Sequence, residues 1–166
     1  SGLLTSGVQY NTVEGINASI KVNMTKRYED RRSHDLATTV RYGFSNYLWG
    51  GTANWKYVFK PEKFESVNVK VGTTAQQFNG NDPINATMNT SYTLFDNENF
   101  MKLYKKSYAS FGYRKELING LIVNFNTEYA ERSSLRNTAF DLWVDNKHKL
   151  FTSNDPLRPH TDDSSF

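Results

Sequence analysis

The side chains that could bind a metal ion lie near the end of the chain. His160 stands close to Asp162 and Asp163, and imidazole and carboxylate groups are common zinc ligands. The other two histidines, His34 and His148, fall in turn-like sequence. Because Pro, Thr and Ser surround His160, a solvated loop explains this group better than a metal site. We therefore predict no metal and no cofactor.

Residues that could carry out catalysis are equally sparse. The chain has no cysteine, no nucleotide-binding loop and no Gly-x-Ser-x-Gly nucleophile motif. The acidic stretch at residues 96–99 lacks the glycine and the terminal glutamate of a calcium loop, so it is better explained as a helix cap. Nothing in the sequence pairs Glu14 with Glu128 as a general acid and base. The sequence predicts a protein that is not an enzyme.

The dominant pattern is a strict alternation of apolar and polar residues, which indicates β-strands. Six stretches show it, at residues 15–25, 36–45, 53–60, 67–76, 108–114 and 121–130, and residues 140–144 could add a shorter seventh. Residues 79–105 break the pattern and predict a long, partly helical loop. The fold predicted is an all-β antiparallel meander of six to seven long strands, with one long loop containing a short helix.

The polar positions of these strands carry Asn, Ser, Thr, Lys, Arg and Gln, the residues that line an aqueous channel. Strands of about ten residues with one apolar face also fit a transmembrane β-barrel, whose strands need ~9–11 residues. We therefore predict that the polar set faces the lumen. It comprises Asn17, Lys21, Asn23, Arg41, Asn54, Lys56, Lys70, Arg114, Asn124, Asn126 and Glu128.

Aromatic residues cluster around the turn between the second and third stretches, as they do where a barrel meets the membrane–water interface. We predict that they form a lipid-facing girdle. Its members are Tyr42, Phe44, Tyr47, Trp49, Trp55, Tyr57 and Phe59.

A soluble sheet with one face exposed to water shows the same alternation of apolar and polar residues, so a second interpretation stays open. The alternative is a soluble all-β module that binds glycans with exposed aromatics.

Composition excludes several other classes of protein. The net charge of +3 is spread along the chain and does not form the basic patch of a nucleic-acid-binding protein. No stretch approaches the ~18 apolar residues of a membrane helix.

The connections between the strands differ in length at the two ends of the predicted sheet. The turns at residues 28–35, 61–66 and 115–120 are short and charged, and they lie at the opposite end from the long loop at residues 79–105. Outer-membrane barrels show this asymmetry, with short periplasmic turns and long extracellular loops.

Several short phrases carry a resemblance to a known family. They are QYNTVEG at residues 9–15, YGFS at 42–45 with WGG at 49–51, QFN at 77–79, NFMKLY at 99–104, EYAER at 128–132, LRNT at 135–138 and FTSN at 151–154. Together they resemble the barrel region of large Bacteroidota outer-membrane proteins that carry a carboxypeptidase-regulatory-like domain followed by a barrel domain of unknown function. The resemblance implies that residues 1–166 are a single partial barrel domain, a fragment without the periplasmic domain and the later strands. It brings no catalytic residues.

The function predicted is therefore that of a segment of a bacterial outer-membrane β-barrel with no enzymatic activity. Its role would be solute passage or the assembly of surface and outer-membrane proteins. The partners predicted are outer-membrane lipid and other outer-membrane or periplasmic proteins, and nucleic acid is not among them. Because six or seven strands are too few for a barrel with this many polar interior side chains, we predict that the first and last strands do not pair with each other.

Overall fold

The computed structural model describes residues 2–78, 88–91, 102–138 and 154. In these ranges seven antiparallel strands of 10 to 16 residues form a single sheet, and each strand pairs with the next in chain order. The strands are β1 (Gly2–Asn11), β2 (Gly15–Arg27), β3 (Ser33–Gly43), β4 (Trp49–Lys60), β5 (Glu65–Gln77), β6 (Leu103–Ile118) and β7 (Leu121–Ser134). The predicted all-β meander of six to seven long strands is confirmed.

The identity of the seventh strand differs from the prediction. Strand β1 was not predicted, because Leu3 and Leu4 are adjacent and Ser6 and Gly7 carry little side chain, so apolar residues do not alternate there. It pairs with β2 over its whole length, from Gly2 opposite Met24 onward. The strand predicted at residues 140–144 lies outside the described residues.

The long connection ends earlier than the sequence predicted. Strand β6 begins at Leu103, so Leu103 and Lys105 belong to the sheet and pair with β5. The prediction of a partly helical loop was therefore wrong for residues 103–105. Tyrosine occurs on both faces of this strand, so apolar and polar residues do not alternate along it. Residues 88–91 form a short helix in the connection between β5 and β6, so this connection is partly helical, as predicted. The helix cap predicted at residues 96–99 lies outside the described residues.

Short turns join the strands at one end of the sheet, which we call the turn end. They comprise residues 28–32, residues 61–64 with a 3-10 helix at Pro61–Lys63, and the two-residue turn Asn119-Gly120. Gly120 has a φ of 86°, which a two-residue hairpin turn favours and which glycine adopts without steric cost. The opposite end, the loop end, holds the long connection after β5 and the segment after β7.

The sheet is open, and its small core lies at the loop end. β1 and β7 are its two edges, and no ladder joins them among the described residues, as predicted. Val13 and Leu103 form the buried core, with Ala75 and Leu135 packed against them. The described part of the chain contains no second sheet that could cover either face of the first. Most of the apolar surface of the strands therefore has no described residue packed on it.

Candidate functional site

One face of the sheet collects all eleven residues that were predicted to face a lumen. Residues paired directly across an antiparallel sheet point to the same side, so the register assigns the face. One row of such pairs starts at Asn23 on β2 and ends at Glu128 on β7. It passes through Asn54 and Lys70 on the strands between them. We call this side the polar face; that it borders a lumen stays a prediction.

The polar face contains an open hollow of about 280 Å³, the polar hollow. Three basic side chains and four amides lie around it: Lys56, Lys70, Arg114, Asn54, Asn68, Asn124 and Asn126. Gly112 keeps this space open, because a Cβ at its position would lie 2.7 Å from Asn126 Oδ1. Asn68 donates a hydrogen bond of 2.7 Å to Asn54 and so fixes the orientation of both amides. The polar hollow thus presents ammonium, guanidinium and amide donors.

The polar face carries an excess of positive charge. By the register, strands β2 to β7 place eight basic side chains on it (Lys21, Arg27, Arg41, Lys56, Lys70, Lys106, Arg114 and Arg132) against three acidic ones (Asp35, Glu116 and Glu128). Glu128 forms an ion pair of 2.7 Å with Lys106. Lys21, Lys56 and Lys70 form no ion pair with any described residue. These ammonium groups are available to an anion.

The opposite side, the apolar face, exposes large hydrophobic side chains along every strand. Leu4 is 68% exposed, Ile20 53% and Phe125 56%. In water an uncovered patch of this kind drives association, and such patches mark surfaces that contact a membrane or another protein.

The predicted aromatic residues divide into two clusters on this face and do not form one group. Tyr42 contacts Phe44 and Trp49, with ring centroids 5.0 and 4.7 Å apart, near the loop end. Trp55, Tyr57 and Phe59 follow each other near the turn end, with centroids 6.1 and 5.8 Å apart. Trp49 and Tyr57 are eight residues apart on β4, which corresponds to ~26 Å. Tyr47 lies in the turn at residues 44–48 and is 76% exposed. That these residues face lipid stays a prediction.

An asparagine near the end of the chain joins two strands at the loop end. The amide of Asn154 accepts a hydrogen bond of 2.8 Å from the Leu103 N–H. It also donates 2.6 Å hydrogen bonds to the carbonyls of Leu103 and Leu135. The side-chain amide of Asn154 thus makes the kind of hydrogen bonds that a neighbouring strand's backbone would make, and it links the start of β6 to the residue that follows β7.

The turn between β1 and β2 is buried beneath this end of the sheet. The Thr12 hydroxyl donates a 2.7 Å hydrogen bond to Asn137. The backbone N–H of Thr138 donates to the Thr12 carbonyl at 2.9 Å, and its hydroxyl donates to the Val13 carbonyl at 2.6 Å. These bonds link residues about 125 positions apart and cap the loop end with polar side chains.

The same turn places a buried carboxylate at the edge of the polar face. Glu14 forms an ion pair with Arg41 and accepts a 2.9 Å hydrogen bond from the amide of Asn11. The side chain of Glu14 is 8% exposed and that of Arg41 24%. Glu128 lies elsewhere, paired with Lys106, so the structure does not bring the two glutamates together as an acid and a base.

Sequence reasoning missed the asparagines that hold the loop end. Asn11, Asn137 and Asn154 were not singled out, although each stands in one of the short phrases that carry the family resemblance. Those phrases were the signal that could have found them. Among the described residues no group of histidine, cysteine and carboxylate side chains could hold a metal ion. His160 and residues 96–99 lie outside the described residues.

No helix in the described ranges has the length and apolar character needed to cross a membrane.

Comparison with known proteins gives one match. Residues 1–166 match the model of a family described as "Family of unknown function (DUF5686) C-terminal domain". No curated protein matches the chain significantly, and no solved structure does.

Proposed function

The chain belongs to the DUF5686 C-terminal domain family, and we propose that it forms part of the wall of a transmembrane β-barrel in a bacterial outer membrane. The apolar face would contact lipid, and the polar face would border a water-filled interior. The parent protein would be of the Bacteroidota type that carries a carboxypeptidase-regulatory-like domain before its barrel. The domain would have no enzymatic activity.

The observation that carries this proposal is the contrast between the two faces of one long sheet. Side chains in a barrel wall alternate between lipid and lumen, so one face must be apolar and exposed and the other polar. Here the apolar face exposes Ile20, Val40 and Phe111, while the polar face holds the eleven predicted lumen residues. At a strand tilt of about 40°, the ~26 Å along β4 between the two aromatic clusters projects to ~20 Å, so both clusters would lie near the borders of the apolar band of outer-membrane barrels, whose height is ~25 Å.

The distribution of charge on the apolar face supports the same height. On β6 this face carries no charged residue between Lys105 and Lys115. These two lysines are ten residues apart, or ~33 Å along the strand, and a strand tilt of about 40° projects that to ~25 Å. The two lysines would therefore sit at opposite membrane–water interfaces.

The open edges of the sheet would be completed by further strands in the barrel. An unpaired strand edge in hydrocarbon leaves backbone N–H and C=O groups without hydrogen bonds, which costs several kcal/mol for each group. β1 and β7 present two such edges of ten and fourteen residues. On this proposal, strands outside the seven described here pair with both.

The biological role would be the passage of anionic solutes, or support for the assembly of surface and outer-membrane proteins. The excess of basic side chains on the polar face favours anions. The partners would be outer-membrane lipid and other outer-membrane or periplasmic proteins. A soluble glycan-binding module is less well supported, because nothing in the described part of the chain covers the apolar face.

Fractionation of the intact protein tests the proposal. We expect it to remain in the outer-membrane fraction after a carbonate wash, and to require detergent for extraction. An unboiled sample should migrate faster on a gel than a boiled one, as a folded barrel does. Recovery in the soluble fraction without detergent would contradict the proposal and would favour the glycan-binding module.

Ion selectivity gives a prediction specific to the polar hollow. We expect the intact protein in a planar bilayer to prefer anions, because Lys56, Lys70 and Arg114 line this part of the interior. Changing all three to Gln should reduce the anion-to-cation permeability ratio by about twofold or more. Reversal potentials in a salt gradient measure this ratio.

A matched control removes the same charge from the turn end, away from the polar hollow. The triple variant Arg31→Gln, Lys63→Gln, Lys115→Gln also loses three positive charges. Its selectivity should stay near that of the unchanged protein, because local charge in the pore, not net charge, sets the preference. Cation preference in an open, unplugged pore would refute the prediction, and so would equal effects of the two variants.

A further inference from the structure

A groove of about 470 Å³ crosses the apolar face near the turn end. Its floor is formed by Met24, Leu36 and Trp55, which lie in one row of paired residues. Gly2 stands at the end of that row opposite Met24 and contributes no side chain, so the row opens into a groove there. The floor is apolar, as a site for a hydrocarbon chain requires.

Stacked aromatic rings form one wall of this groove. The His34 ring lies parallel to that of Tyr57, with centroids 4.1 Å apart and planes 3° apart. It also stacks with Trp55 at 5.9 Å and meets the edge of Tyr28 at 5.8 Å. Four rings from three elements therefore pack as one block at the level of the turn between β2 and β3.

Two cations lie against the Tyr28 ring of this aromatic block, beside the groove. The Lys26 ammonium is 5.1 Å from the centre of the Tyr28 ring, and the Arg32 guanidinium is 5.6 Å from it. Lys26 borders the groove and forms no ion pair with a described residue. Arg32 forms an ion pair of 2.5 Å with Asp30 through Nε, and its guanidinium also hydrogen-bonds with Tyr57, so only the remaining N–H groups of its terminal nitrogens are donors for a ligand. The hydrogen bond to Asp30 raises the pKa of Arg32 above its ordinary value, at which a guanidinium is already charged.

We propose that this groove binds a phosphate-bearing membrane lipid, with an acyl chain along Met24, Leu36 and Trp55 and the phosphate between Lys26 and Arg32. This inference rests on the proposed membrane location and adds to it a specific lipid site. An amphiphile needs an apolar surface with positive charge beside it, and Lys26 borders this apolar floor one row nearer the turn end. Aromatic rings with adjacent cations are also typical of the level at which lipid headgroups lie.

The surroundings favour a lipid over a free phosphate compound. Asp30 neutralises part of the charge on Arg32, so a small soluble anion would find one unopposed cation, Lys26. A lipid adds the burial of its chain on the groove floor, and each buried CH2 strengthens binding by about fourfold. The affinity gained by burying a hydrocarbon chain therefore favours a lipid over a soluble phosphate compound.

Native mass spectrometry of the intact protein, released from detergent micelles, tests this site. The micelles contain phosphatidylglycerol, phosphatidylcholine or no added lipid. We expect one phosphatidylglycerol retained per protein at high collision energy, with phosphatidylcholine retained less. The double variant Lys26→Gln, Arg32→Gln should bind phosphatidylglycerol about tenfold more weakly, because each cation near an anionic lipid adds several-fold in affinity.

The matched control is Arg31→Gln, Lys63→Gln, which removes two positive charges from the same end of the sheet but outside the groove. Its affinity for phosphatidylglycerol should change less than twofold. Equal weakening of both variants would overturn the proposal, because it would show general attraction to anionic lipid. Displacement of the lipid by millimolar glycerol phosphate would also overturn it, because the ligand would then be a soluble phosphate.

The same samples separate this inference from the proposed function. Retention of a folded, heat-modifiable protein in detergent without preference for phosphatidylglycerol would refute the lipid site and leave the barrel intact. A protein that never enters micelles or membranes would refute the barrel itself. Loss of lipid binding in a variant counts only where its heat-modifiable mobility matches that of the unchanged protein.

Discussion

Arginine in place of Val22 should lower the free energy of unfolding from a lipid bilayer by about 2–4 kcal/mol, the cost of a charged side chain at the lipid-facing midplane of a barrel. Val22 pairs with Thr38 and, through it, with Ala53 in the row midway between the two aromatic clusters. Val69 pairs with Trp55, which lies two residues nearer the turn end than Ala53 on β4. Arginine at Val69 should therefore lower the free energy of unfolding somewhat less than arginine at Val22. Urea unfolding of the intact protein refolded in vesicles measures both.

The adjacent residue on the same strand provides the control. Asn23 lies on the polar face, so Asn23→Arg should change the free energy of unfolding by less than about 1 kcal/mol if that face borders water. The opposite result would reverse the facing of the sheet. Neutral outcomes at Val22 and Val69, with large costs for changes at Lys21 and Lys70, would place the polar face outward and end the barrel proposal.

Loss of Arg41 should lower the free energy of unfolding about as much as arginine at Val22 does. The Arg41 guanidinium forms an ion pair with the buried Glu14 carboxylate. Without Arg41, this carboxylate would keep the hydrogen bond from the amide of Asn11 but lose its ion pair. Removing one member of a buried pair leaves the other charge uncompensated, which typically costs 3–5 kcal/mol. We therefore expect Arg41→Met to lower the free energy of unfolding by about 3–5 kcal/mol in the same vesicle assay.

Two further variants show whether the buried charge is the cause. Adding Glu14→Gln to Arg41→Met should recover at least about 2 kcal/mol, because no unpaired carboxylate then remains. Asp30→Asn breaks the exposed pair with Arg32, whose side chains are 52% and 46% exposed, and it should cost less than about 1 kcal/mol. If Arg41→Met costs no more than Asp30→Asn, the pair with Glu14 does not stabilise the loop end.

The alternation of residue types predicted which side of the sheet each side chain occupies. A strand repeats every two residues, so a local pattern determines facing without reference to the rest of the chain. All eleven residues from Asn17 to Glu128 therefore came out on one face. The same pattern predicted Tyr42 and Trp55 on the other face. It could not show that they belong to separate clusters, because their neighbours are set by the register between strands.

Strands without alternation escaped prediction for a related reason. β1 carries leucine on both faces at Leu3 and Leu4, and the start of β6 carries tyrosine at Tyr104 on the polar side. Pairing with β2 and β5 keeps these segments in the sheet. The backbone hydrogen bonds of such ladders depend little on side-chain type, so a sequence pattern cannot report them.

The sequence by itself thus determined the fold class, the order of its long strands and the two unlike faces, because each depends on neighbours a few residues apart. Only the tertiary structure decided how the loop end is closed. Asn154 reaches Leu103 across 51 positions, and Thr12 reaches Asn137 across 125. Hydrogen bonds of this kind have no periodicity along the chain. They form where the folded sheet brings separate segments within 3 Å, and they bury amides that the sequence alone presents as ordinary loop residues.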